Sequence, residues 1–172
     1  MATKTAGRAR TAKKPTPAAK RTAPAPKKAA RVVKKPAPTA RQTTMTRKTI
    51  DPGWTWDDRL PLAQARQIGN TLYVSGQVAY DANGNLVGEG DIKTQTRQVF
   101  NNIKAVLAAA GARLEDIVKI NTYITDQSKF MDMLEVRSEI FGNNPPASTA
   151  VVVSALAFSG LLIEVEAIAV KS

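Results

Sequence analysis

Two glutamates spaced two apart, Glu164 and Glu166 in LLIEVEAIAV, are the clearest candidates for chemistry in this chain. In a strand their side chains share one face. Where that face is desolvated, burial and the neighbouring like charge raise a carboxyl's pKa toward neutrality, and such a group can shuttle protons to and from water. The alternative is a pair of ion-paired surface carboxylates. Arg137, the only arginine after residue 113, stands on a helical pattern. It is either a cation for a ligand or an exposed helix charge neutralised by acidic neighbours such as Glu135, Glu164 or Glu166. Ser75 and Gln77 in VSGQ either hydrogen-bond a ligand or close a strand end. Tyr123 either points into a cleft or packs between subunits.

Other chemistries are excluded by composition. The chain has no cysteine and no histidine. That removes disulfides, thiol nucleophiles, thiolate and imidazole metal ligands, and the commonest general base at neutral pH. The glycines around 84 and 88–90 are turn signals, without the phosphate-loop pattern. No metal and no cofactor are expected. No stretch approaches the roughly 18 apolar residues of a transmembrane helix, and no apolar segment marks a secretory signal. The expectation is a cytoplasmic protein with no membrane partner.

The net charge of +11 is unevenly placed. Residues 1–48 carry fifteen Lys and Arg and no acid; taking these from 25 basic and 14 acidic residues leaves ten against fourteen in residues 49–172. The first segment is thus +15 and the second −4. Built from Ala, Lys, Arg, Thr and Pro, residues 1–48 hold too little apolar surface to offset ordering entropy, so a disordered basic tail is predicted. It reads as an electrostatic arm for nucleic acid or another polyanion, with nucleoid association as a consequence. A solubilising spacer and a transit peptide are the alternatives.

Residues 49–172 must position the candidate groups. Segments 63–68 and 71–80 read as strands around Gly69-Asn70, a hairpin signal. From Asp91 to Ala110, apolar positions at Ile92, Thr96, Val99, Ile103, Val106 and Ala110 form a helical stripe, with Asp91 as N-cap and Gly111 beyond the C-terminus. Residues 117–125 alternate, placing Val118, Ile120, Thr122 and Ile124 opposite Lys119, Asn121 and Tyr123. A second helix over 128–141 buries Phe130, Met133 or Leu134, and Phe141. Strands at 148–156 and 161–170 close the chain. The order predicts an α+β fold, a mixed sheet of about six strands with two helices on one face. Consecutive Val151, Val152 and Val153 put apolar groups on both sheet faces, and two helices cover only one. A homo-oligomer is therefore expected.

VSGQ (74–77), GDIKTQTRQVFNNIKAVLAAAG (90–111), EDIVKINTYITD (115–126), and PPASTAVVVSAL followed by IEVEAIAV resemble the Rid (YjgF/YER057c/UK114) family across residues 60–170. The resemblance implies a chorismate-mutase-like α+β fold, a homotrimer, and clefts between subunits. It also implies cofactor-free hydrolysis of small-molecule substrates, reactive 2-imino or enamino acids, to 2-keto acids and ammonia. Some members have been called endoribonucleases, for which a chain without histidine and with a domain at −4 offers little.

By the same resemblance, Glu164 and Ser75 are catalytic candidates, and Gly76, Gln77, Ser148 and Tyr123 are substrate-binding candidates. Three positions depart from the family pattern. Ser148 stands where active deaminases carry an arginine that grips the substrate carboxylate. Leu62 replaces a tyrosine, and Leu134 an asparagine. Arg137 becomes the candidate for the missing cation, as a third catalytic residue. Two readings follow: a deaminase with altered substrate scope, or a non-catalytic ligand-binding trimer whose tail binds nucleic acid.

Overall fold

The computed structural model describes residues 45–57 and 60–172. The basic arm expected over residues 1–48 lies outside the described residues except for its last four. Six strands form one sheet in the order β1-β2-β3-β6-β4-β5. They are β1 (Arg47–Ile50), β2 (Ala65–Ile68), β3 (Thr71–Gln77), β4 (Ile117–Ile124), β5 (Ala147–Val152) and β6 (Ile163–Val170). Only β4 and β5 pair in parallel; all other neighbours are antiparallel. Two helices, α1 (Ile92–Ala109) and α2 (Phe130–Phe141), connect β3 to β4 and β4 to β5.

The expected sheet and both helices are present, and β1 is the strand that the pattern did not locate. RKTI is short, polar and at a sheet edge, so neither alternation nor hydrophobicity announces it. It starts at Arg47, inside the stretch assigned to the tail.

α1 forms where its stripe demands. Ile92, Thr96, Val99, Phe100, Ile103, Val106 and Leu107 are all buried. Asp91 caps its start by accepting from the Lys93 N–H at 2.9 Å. Gly111, at φ 70°, lets the Ala112 N–H turn back to the Leu107 carbonyl at 2.9 Å. α2 buries Met133 and Val136, and Leu134 is only half-buried. The helices cover the sheet face bearing Leu72, Val74, Ile120, Ile124, Ile163 and Val165, which supplies the core.

The uncovered face departs from expectation in character. β6 alternates with Ile163, Val165, Ala167 and Ala169 inward, leaving Glu164, Glu166 and Ile168 on the open side. Lys119, Asn121 and Tyr123 join them from β4. Its centre is therefore polar, and the exposed valines Val151 and Val152 lie on the edge strand β5. Val118 is 48% exposed and not part of the core face, because the β4–β6 register shifts between Ile117 and Lys119. β5 also stops at Val152, short of the expected 156, once the Val153 N–H has bonded the Ile124 carbonyl.

The segment leading into β2 carries two tryptophans, which pack against each other. Trp54 stacks on Trp56 with centroids 6.3 Å apart, Trp56 meets Tyr80 edge-on at 5.5 Å, and Tyr80 reaches Phe158 at 6.0 Å. This row of rings ties the lead-in to the turn after β3 and to the loop before β6.

Candidate active site

Antiparallel pairing of β4 with β6 sets Tyr123 opposite Glu164 and Asn121 opposite Glu166. All four side chains stand on the open face. The Asn121 amide donates to Glu166 Oε1 at 2.6 Å, and the Tyr123 hydroxyl makes a longer contact to the same oxygen at 3.5 Å. Glu166 is thus held as an acceptor. Glu164 accepts no hydrogen bond from the described residues. Burial pushes its carboxyl above the usual carboxylate range, and the charge of Glu166 adds to the effect. The Tyr123 phenol is raised as well, by Glu166 first, then by burial and by Glu164.

Beneath Glu164 the backbone makes room. The β3–β6 register shifts between Val74 and Gln77, so Ser75 and Gly76 form a bulge beside the carboxylate. A methyl group on Gly76 would lie 1.9 Å from Glu164 Oε1 and 2.8 Å from Cδ. Only glycine admits the carboxylate at this depth. Above it, Tyr123, Glu164, Val153, Ala155, Leu156 and Ala157 line a recess of about 260 Å³.

The other VSGQ residues have structural partners. The Ser75 hydroxyl donates to the Ala63 carbonyl at 2.6 Å, which leaves its oxygen as an acceptor. Gln77 points away from the open face: it is 2% exposed and donates to Gln64 Oε1 at 2.7 Å. The substrate contact expected of Gln77 is thus not offered by this placement. Its amide belongs to the packing beneath the site, because the bulge reverses which side chains of β3 face the core.

Arg137 and Ser148 come together elsewhere. Arg137 Nη2 donates to Ser148 Oγ at 2.9 Å. Ser148 pairs with Ile120, whose side chain is on the helix face, whereas Glu164 pairs with Tyr123 on the open face. One copy of the chain therefore carries the two groups of candidate residues on opposite sides of its sheet. Leu134 borders the Arg137 recess, and Leu62 is 51% exposed beside Trp54 and Gln64.

Asn121 was missed as a site residue, although the alternation of 117–125 placed it beside Tyr123 and an antiparallel IEVE partner would have set it against Glu166. Gln64 carried no such signal; its role depends on a contact thirteen residues away with Gln77. Among the described residues no group of three or more acidic side chains is arranged to hold a metal. No helix among them is long and apolar enough to cross a membrane.

Comparison with known proteins adds a family frame. The family model described as Endoribonuclease L-PSP matches residues 57–171. A RutC family protein from Pyrococcus horikoshii is 48% identical over 111 residues, covering 64% of this chain and 87% of its own. A 2-iminobutanoate/2-iminopropanoate deaminase from Dermatophagoides farinae is 37% identical over 110 residues, covering 64% and 85%. The crystal structure of a YjgF/YER057c/UK114 family member from Mycobacterium tuberculosis superposes with a TM-score of 0.65 at 32% identity, over 73% of this chain and all of that one.

Proposed function

This chain belongs to the endoribonuclease L-PSP family, the group also known as YjgF, RutC or Rid, and on that premise we propose that it hydrolyses reactive imines or enamines without a cofactor. The observation that carries this reading is Glu164: a carboxyl raised by burial and by Glu166, seated over a glycine that alone admits it. In the step proposed, Glu164 takes a proton from water as the water oxygen attacks the C=N carbon. It hands that proton to nitrogen, giving a carbinolamine, then takes the carbinolamine hydroxyl proton as the C=O bond forms and delivers it to nitrogen as the C–N bond breaks. A carbonyl compound and ammonia leave, and Glu164 returns to its starting state. Burial first, and then the charge of Glu166 held by Asn121, keep Glu164 basic enough to accept that proton.

The working site is built between copies of the chain. The sheet separates Glu164, Gly76 and Tyr123 from Arg137 and Ser148 within one copy, so a cleft using both groups draws them from two. We propose a homotrimer, with exposed Val151 and Val152 on the edge strand among its contacts. The +15 arm is proposed to bind nucleic acid independently of catalysis.

The test is ammonia release from imines generated in situ by an amino-acid oxidase. The wild-type chain accelerates release, and Glu164→Gln lowers the rate about 10²-fold or more. Release no faster than the uncatalysed reaction would favour the non-catalytic ligand-binding reading instead. The absence of histidine and the domain's net −4 argue against ribonuclease activity as the main function.

A further inference from the structure

We propose that Asp57, Gln64 and Gln77 are positioning residues, a hydrogen-bonded relay that fixes the β3 bulge on which Glu164 is seated. Glu164 accepts no hydrogen bond from the described residues, so shape sets its place. That shape is the gap left by the missing side chain at Gly76. Whatever fixes the bulge therefore fixes the carboxylate.

Ser75, the first residue of the bulge, is held at all three of its polar groups. Its N–H donates to the Gln64 carbonyl at 3.0 Å, and its hydroxyl donates to the Ala63 carbonyl at 2.6 Å. Its carbonyl accepts from Gln77 Nε2 at 3.2 Å. Two of these bonds come from the residues just before β2, and the third comes from a side chain on the buried side of β3. The amide of Gln77 is itself aimed, because its second N–H donates to Gln64 Oε1 at 2.7 Å.

The direction of the relay is set at its outer end. An ionised carboxylate only accepts, so Asp57 Oδ2 obliges Gln64 to turn its amide nitrogen outward. Gln64 then has only its oxygen to offer Gln77. Gln77 must answer with its nitrogen, which is the group that also reaches the Ser75 carbonyl. Asp57 follows Trp56, whose ring packs on Trp54 and Tyr80 and anchors this end.

Filling space does not require such a device. Gln64 and Gln77 are both buried, and two apolar side chains would pack there without a desolvated amide to satisfy. A buried polar pair with one permitted orientation instead specifies a single backbone arrangement. Gln77 thus acts through the bulge and not by touching substrate. The kinetic consequence rests on the hydrolytic role proposed above; the seating of Glu164 does not.

Carboxyl NMR titration of the full chain, with Glu164→Gln identifying the resonance, reads that seating without turnover. Gln77→Met and Gln64→Met keep side-chain length and remove the amide, and Asp57→Ala removes the directing acceptor. In each the bulge relaxes, the carboxylate reaches water, and Glu164 titrates at lower pH than in the wild type. Asp57→Asn, which still accepts, changes least. In ammonia release kcat falls about tenfold or more while KM stays within about twofold, and the rising limb of the pH profile moves to lower pH. Should the Met variants not melt cooperatively, Asp57→Ala, at the half-buried end of the relay, carries the comparison. A Glu164 titration that keeps its wild-type position in these variants, whatever their melting temperatures, overturns the relay. Titration that shifts as expected in a chain that releases no ammonia keeps the relay and removes the hydrolase reading. Wild-type kcat in variants with an unmoved titration does the reverse.

Discussion

The carboxylate of Glu164 sits over the α-carbon of Gly76, so close that a methyl there would lie 1.9 Å from Oε1. The two residues are 88 positions apart in sequence and meet because β3 pairs with β6 across a bulge. A backbone without a side chain is what lets a charged group be half-buried on an otherwise open sheet face.

Substituting Gly76→Ala pushes a flexible side-chain end, so the stability cost is modest, about 1–2 kcal/mol. The carboxylate moves, and ammonia release drops about 10²-fold. Thermal melts of Gly76→Ala in wild-type and Glu164→Ala backgrounds check the contact. The cost shrinks when Glu164 is absent; an equal cost in both backgrounds means that the methyl meets something else.

The raised pKa of Glu164 has a stability consequence of definite sign. The folded chain binds this proton more tightly than the unfolded chain, whose glutamate titrates near about 4.3. Stability contributed by Glu164 is present below that value and declines as pH rises through the higher folded pKa. Glu164→Gln, neutral throughout, therefore melts higher than wild type at pH 8, and the difference disappears at pH 4. A variant less stable than wild type at pH 8 contradicts the desolvation of this carboxyl.

Gln95 on α1 locks the loop that delivers Glu164. It is fully buried, donates to the Gly160 carbonyl at 2.7 Å and the Gly88 carbonyl at 3.1 Å, and accepts from the Leu162 N–H at 2.8 Å. Gln95→Leu strands these backbone groups and lowers stability by about 3 kcal/mol. Urea titration shows it as a fall in midpoint with little change in slope.

The arm is tested by salt. Retention of duplex DNA by the full chain falls steeply between 50 and 200 mM salt, by about 10³-fold or more if six or more phosphates are neutralised. Deleting residues 1–44 abolishes it and leaves ammonia release unchanged. Retention that survives the deletion places nucleic-acid binding on the domain.

Much of this could be read from residue order. The stripe from Ile92 to Leu107 and the bracketing Asp91 and Gly111 determine α1, because a helix's period and its orphan end groups are local matters. The alternation in IEVEAIAV put Glu164 and Glu166 on one side for the same reason. Charge segregation between residues 1–48 and the remainder is wholly a property of sequence. Tertiary structure decided what depends on register and on distant neighbours. The bulge at Ser75-Gly76 turned Gln77 inward and cleared space for Glu164, and the shift at Ile117 turned Val118 outward. The strand order set Arg137 and Ser148 together on the side of the sheet away from the glutamates. One-residue slips reverse a side chain's face, and a linear string holds no record of which slip long-range pairing will choose.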